Sequence, residues 1–116
     1  MISWRKHYKR GLIAIGLLLS TSASIYAQGD AKNGEKLFKA NCTACHALDK
    51  QLVGPALGGV VDRLKKEQNL DTDWLHKWIK DNKSLRESGD KYAIEVYEKF
   101  NKTEMLAYPN LTDQDI

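Results

Sequence analysis

The chain has 116 residues, 42% of them hydrophobic and 28% charged, a length that points to one domain. Its formal charge of +3 is uneven: Arg5, Lys6, Lys9 and Arg10 crowd the first ten residues, and residues 28–116 carry 14 basic against 15 acidic side chains, a net −1. That balance argues against nucleic acid as a partner and against a strong general attraction to anionic membranes.

Residues 1–27 read as an export signal. The basic start is followed by an apolar run, Gly11 to Leu19, and then by small polar residues ending at Ala27. The expected cut falls between Ala27 and Gln28, although Ile25 matches the third position before it less well than alanine would. Cleavage is preferred over a retained anchor, because the apolar run is shorter than the roughly twenty residues of a membrane span. No cysteine stands at the cut to carry a lipid. The remaining domain is then 28–116.

From Ala31 to Asn41 apolar residues fall at helical spacing, with Asp30 as N-cap. Gly34, Phe38 and Cys42 are four apart and share a face. A glycine inside a helix costs about 1 kcal/mol against alanine, so Gly34 is expected to mark close approach by another helix.

Directly after this helix comes Cys42-Thr43-Ala44-Cys45-His46, the attachment signature of a c-type haem. Each thiol can add across one vinyl group of the haem edge, giving two thioethers, and His46 can then swing under the ring to ligate the iron. Three other readings fit less well. A redox disulfide expects a βαβ pattern around it, and none is visible. Zinc would need two further ligands, with only His7 and His76 and no other cysteine to offer. A disulfide scaffold would normally carry more than one cysteine pair.

The run Gly34-x-x-x-Phe38-x-x-x-Cys42-x-x-Cys45-His46 resembles the start of a class I cytochrome c. The resemblance covers Gln28 to Ile116. It implies an all-α fold of three to five short helices around one covalently bound haem c. It also implies haem attachment outside the cytoplasmic membrane, hence a periplasmic location or the periplasmic face of the inner membrane. In that family the first helix crosses the last at this glycine and phenylalanine.

Between Ala47 and Gly59, a proline and several glycines predict a loop. An iron-ligating histidine needs its second ring nitrogen held by a carbonyl or carboxylate. Gly54-Pro55-Ala56-Leu57 resembles the family's Gly-Pro-x-Leu loop, which implies that the Pro55 carbonyl takes that role and that Leu57 packs on the haem. Val60 to Glu67 is expected as a short helix or turn with Arg63, Lys65 and Lys66 on a solvated side. Asp71, Thr72 and Asp73 offer caps for a helix over Trp74 to Lys80. Its apolar stripe pairs Trp74 with Trp78 and Leu75 with Ile79. The resemblance implies that Trp78 sits near a haem propionate. His76, beside that stripe, reads as an exposed side chain and not as a ligand. Asp81 to Asp90 is polar and expected to connect helices, and Lys91 to Phe100 is a further helix that Asn101 to Glu104 ends.

Met105 is the only methionine besides the initiator and stands in a loop, off any amphipathic stripe. Iron held by His and Met is typical of electron-carrying cytochromes c. Met105-Leu106-Ala107-Tyr108-Pro109 resembles the family's Met-Pro-Ala-Phe segment and implies Met105 as the second axial ligand. It departs at Leu106, where proline is usual, so the loop's own sequence does not encode that proline's stiffness. Asn110 to Ile116 resembles the start of the family's last helix, with Thr112 as cap and Asp115 at the capping-box position. The chain stops there, so a fragment of a longer protein, with its final helix truncated, is expected.

The reading is a monohaem cytochrome that passes single electrons between a respiratory donor and an oxidase or other acceptor, more an electron-transfer protein than an enzyme. Association with a membrane complex is possible on the same grounds. The alternatives are the haem domain of a larger respiratory oxidoreductase and a gas sensor or peroxidase-like protein with an open sixth position.

Overall fold

A computed structural model describes residues 29–116; the export signal expected over residues 1–27 lies outside them. The described residues are all helical, without strands. Helix α1 spans Ala31–Asn41, α2 Val60–Arg63, α3 Thr72–Glu87 and α4 Lys91–Lys99, and α2 runs on into a π-helical turn over Leu64–Gln68.

Three aspartates start the longer helices. The Asp30 carboxylate accepts from the backbone N–H groups of Lys32 and Asn33 at 3.0 and 3.1 Å, Asp71 from Trp74 at 3.2 Å, and Asp90 from Ala93 at 2.8 Å. Each satisfies amides that the first helical turn leaves without partners. Chain reversal after α4 relies on two residues with positive φ, Asn101 and Lys102, both at 57°.

The region Asp81 to Asp90, expected as a connector, is helical as far as Glu87. The physical reason is a second cap inside α3. Asp81 leaves the helical region (φ −160°, ψ 75°) and its carboxylate accepts from Ser84 N at 3.0 Å and Ser84 Oγ at 2.6 Å. The helix therefore kinks and restarts at Asp81.

Packing is concentrated where α3 meets α4. Leu64, Trp74 and Ala93 are the buried hydrophobic residues of the described region, with Trp78, Leu85 and Tyr92 packed against them. Trp74 stacks on Trp78 with ring centroids 5.5 Å apart and planes 11° from parallel, and tilts against Tyr92 at 5.1 Å. The Trp74 indole N–H is shared between both Asp90 carboxylate oxygens at 3.2 Å, so one aspartate caps α4 and fixes the core tryptophan.

The C-terminal segment lies along the start of α1. Asn33 Nδ2 donates to Asp115 Oδ1 at 2.9 Å. The close approach expected at Gly34 is only ordinary contact, since a Cβ there would meet the Asp115 carbonyl oxygen at 3.7 Å. The tight position is Gly29, where a Cβ would lie 2.8 Å from the Gln114 carbonyl oxygen. Thr112 and Asp115 make half of the expected box: Asp115 Oδ2 accepts from Thr112 N at 2.9 Å and Thr112 Oγ1 at 2.7 Å, while the Asp115 N–H goes to the Thr112 carbonyl at 3.0 Å.

Candidate functional site

The turn that ends α1 carries the two cysteines and the histidine. Cys42 N bonds the Phe38 carbonyl at 2.9 Å, and the Cys42 carbonyl accepts from Cys45 N at 3.1 Å and His46 N at 2.9 Å. Cys42 and Cys45 are free thiols, the first half-buried and the second exposed. Burial pushes the Cys42 thiol above its ordinary pKa, which favours the protonated thiol over a thiolate. Among the described residues no cluster of three or more His, Cys, Asp or Glu side chains is placed to hold a metal ion.

The loop after His46 folds back over its ring. Gly54 N bonds the Cys45 carbonyl at 2.9 Å, and Leu57 N bonds the Ala47 carbonyl at the same distance. These two bonds bring the Pro55 carbonyl 2.9 Å from His46 Nδ1. A carbonyl can only accept, so Nδ1 carries a proton, and in the neutral imidazole Nε2 is the nitrogen with a lone pair to offer. The ring lies flush against Gly54: a Cβ there would fall 2.3 Å from His46 Cε1 and 2.8 Å from Nδ1. Only a residue without a side chain lets the imidazole stand in this place.

Arg63, expected on a solvated face, braces the same loop. Its guanidinium donates to the Ala56 carbonyl at 2.6 Å and also to the Gly58 carbonyl. Leu57 is half-buried between these anchors.

Met105 occupies the loop after α4 and is half-buried. Its thioether sulfur accepts from the Trp78 indole N–H at 3.2 Å, and its carbonyl accepts from Asn82 Nδ2 at 3.0 Å. The loop is tied to α3 again where Tyr108 N bonds the Ile79 carbonyl at 2.9 Å. It is tied to α1 where Tyr108 Oη donates to the Asn41 carbonyl at 2.9 Å, one residue before Cys42. Thus Cys42, Cys45, His46, Pro55 and Leu57 form one bonded group, Trp78 and Met105 a second, and Tyr108 joins them.

Asn82, Arg63 and Tyr108 escaped the sequence reading. Asn82 sits in the stretch read as a connector, so its burial had no visible signal. The spacing of Trp78 and Asn82, four apart, would have placed them on one face had the helix been extended past Asp81.

Residues 31–116 match the family model described as Cytochrome c. A cytochrome c2 of Rhodopseudomonas palustris is 54% identical over 44 residues, covering 38% of this chain and 31% of that protein. A c-type cytochrome of Rhodobacter capsulatus designated cyt cy is 56% identical over 36 residues, 30% of this chain and 18% of its own length. A cytochrome c of Arabidopsis thaliana is 46% identical over 44 residues, 35% of this chain and 39% of that protein. The chain thus aligns with well under half the length of each. No solved structure matches it.

Proposed function

The chain belongs to the cytochrome c family and carries one covalently bound haem c, and on that premise we propose that it is a one-electron carrier with His46 and Met105 as axial ligands. When bound, the haem supplies the Fe(II)/Fe(III) couple. The protein supplies attachment, ligands and a fixed setting.

The observation that carries this reading is the contact of His46 Nδ1 with the Pro55 carbonyl at 2.9 Å. It aims the imidazole with Nε2 free, one residue after Cys45, which is the geometry a covalently tethered iron requires. Cys42 and Cys45 are the attachment thiols. Their spacing along one turn suits two bonds to one haem edge.

Met105 completes the donor set with a soft sulfur that favours Fe(II) and raises the potential. Val53 and Leu106, next in sequence to Gly54 and Met105, are 55% and 73% exposed, apolar surface that a large hydrophobic ring would cover. Leu57 would pack on the same ring, and Trp78 would act through Met105. Redox proteins, a respiratory donor and an oxidase or other acceptor, are the partners this function requires. The export signal read over residues 1–27 supports placing the carrier in the periplasm.

The test is the spectrum of the oxidised holoprotein. A weak sulfur–iron charge-transfer band, lost in Met105→Ala, is the expected result. A high-spin spectrum in the unaltered protein would overturn His/Met ligation and favour a protein with an open sixth position.

A further inference from the structure

Asn82 is the buried polar side chain of the described region, 2% exposed. A buried amide is costly unless it finds a partner, and the partner it finds is specific. Its Nδ2 donates to the carbonyl of Met105 at 3.0 Å, 23 residues away in sequence.

The loop around Met105 has little else of its own to hold it. Among the described residues, no backbone–backbone bond involves an N–H between Glu104 and Ala107. Leu106 is 73% exposed and places no ring constraint on φ. Besides Tyr108, whose N–H and hydroxyl reach Ile79 and Asn41, the anchors come from α3, and they are spaced four apart. Trp78 reaches the Met105 sulfur, Asn82 the Met105 carbonyl, and Arg86 the Glu104 carboxylate, at 3.0 and 2.7 Å to its two oxygens. Arg86 is itself fixed, with Nε 3.3 Å from the Asn82 carbonyl and its guanidinium 3.8 Å over the Tyr97 ring.

We propose that Asn82 is a positioning residue for the sixth ligand: by holding the Met105 carbonyl it keeps the thioether engaged, supplying from α3 the stiffness that the loop's own sequence lacks. The inference rests on the reading of Met105 as axial ligand. The thioether is in competition with any external ligand that reaches the iron. Its effective advantage depends on how little the loop must be ordered to bring it back. Removing the Asn82 donor frees the Met105 carbonyl and widens the range of positions the sulfur visits when it is off the iron.

The experiment is a titration of oxidised holoprotein with imidazole, followed through loss of the sulfur–iron band. Asn82→Leu keeps the branched side-chain shape and removes the donor. Its affinity for imidazole is expected to rise about tenfold over the unaltered protein, equivalent to about 1.4 kcal/mol. Ala93→Gly, which loosens the α4 core at a site no bond links to Met105, is expected to leave the affinity within about twofold.

Unchanged imidazole affinity in Asn82→Leu would overturn the inference while leaving His/Met ligation intact. An equal rise in Ala93→Gly would also overturn it, because the effect would then be general loosening. If Asn82→Leu does not yield holoprotein, Asn82→Asp, of the same shape with an acceptor in place of the donor, takes its place with the same two outcomes. Absence of the sulfur–iron band in the unaltered protein would remove the ligand reading itself, and the inference with it, before any variant is compared.

Discussion

The indole nitrogen of Trp78 lies 3.2 Å from the thioether sulfur of Met105, 27 residues further along the chain. The resemblance implies that Trp78 sits near a haem propionate; among the described residues its N–H is directed at the sulfur. A thioether sulfur has two lone pairs, so one can accept this bond while the other remains for a metal. A donor on sulfur withdraws electron density from it, which weakens donation to Fe(III) more than to Fe(II) and raises the potential.

Trp78→Phe should therefore lower the reduction potential. The phenyl ring keeps apolar contact with Trp74, whose indole stacks 5.5 Å away, so the change isolates the lost donor. The expected fall is up to about 40 mV, the equivalent of one net hydrogen bond of about 1 kcal/mol for a one-electron couple. Potentiometric titration reads it directly, and an unchanged or raised potential would show that the indole does not tune the sulfur.

Gly54→Ala should displace the His46 ring. The new methyl would stand 2.3 Å from Cε1, and neither the ring nor the bonded loop can yield without breaking the contact to Pro55. Overpacking of this kind costs roughly 1–3 kcal/mol. A lower guanidinium midpoint together with a disturbed iron ligand-field spectrum is expected. A variant with native stability and spectrum would mean that the ring does not rest on Gly54.

Asp90→Ala removes an N-cap and the acceptor of a core indole together. Loss of a cap costs about 1 kcal/mol, and leaving the Trp74 N–H without its partner costs about 1–3 kcal/mol more. Denaturant unfolding should show a combined loss of roughly 2–4 kcal/mol on those figures. Asp90→Asn, which can still cap and accept, should recover most of it. Equal losses in both variants would point to the charge and not to the bonds.

The contact between the C-terminal segment and α1 should weaken in acid. Backbone and hydroxyl bonds from Thr112, and then the Asn33 amide, hold the Asp115 carboxyl below its ordinary pKa against a smaller opposing effect of burial. A depressed native pKa means that the carboxylate's contribution is complete above the unfolded value. It is lost as pH falls through the lower, folded one. Hydrogen exchange at the Thr112 amide, which donates to Asp115 Oδ2, should therefore accelerate relative to its intrinsic rate on acidification below the usual carboxylate range. In Asp115→Asn that acceleration should be absent; its persistence would assign the effect to another group.

Much of the site was legible because its chemistry forces particular residues into particular spacings. Cys42, Cys45 and His46 announce themselves, and a histidine that must ligate through Nε2 requires an acceptor such as the Pro55 carbonyl nearby. The caps at Asp30 and Asp71 were equally readable, since an aspartate before an apolar period has a local role, whereas Asp90 passed as the end of a polar connector. What the sequence hid was long-range and polar. Asp81 looks like any loop aspartate until Ser84 is seen to turn it into a second cap within α3. Asn82 and Arg86, placed by that restart, then reach residues some twenty positions away, a relationship that no local pattern encodes. Gly29 and Gly34 show the same limit. Helical spacing singled out Gly34, whereas the tight packing falls on Gly29 just before the helix.

The smallness of the buried core has a consequence for the life of the protein in the cell. With Leu64, Trp74 and Ala93 as its buried apolar residues, the described polypeptide gains little stability from its own packing. A group that binds only the folded chain shifts the balance toward that form, and a covalently attached one cannot be diluted away. Copies that have not yet acquired their haem open more often, and proteases remove chains that open. Protein abundance should then track haem supply and attachment capacity as much as gene expression, so that a cell short of haem loses the protein instead of accumulating its unloaded form.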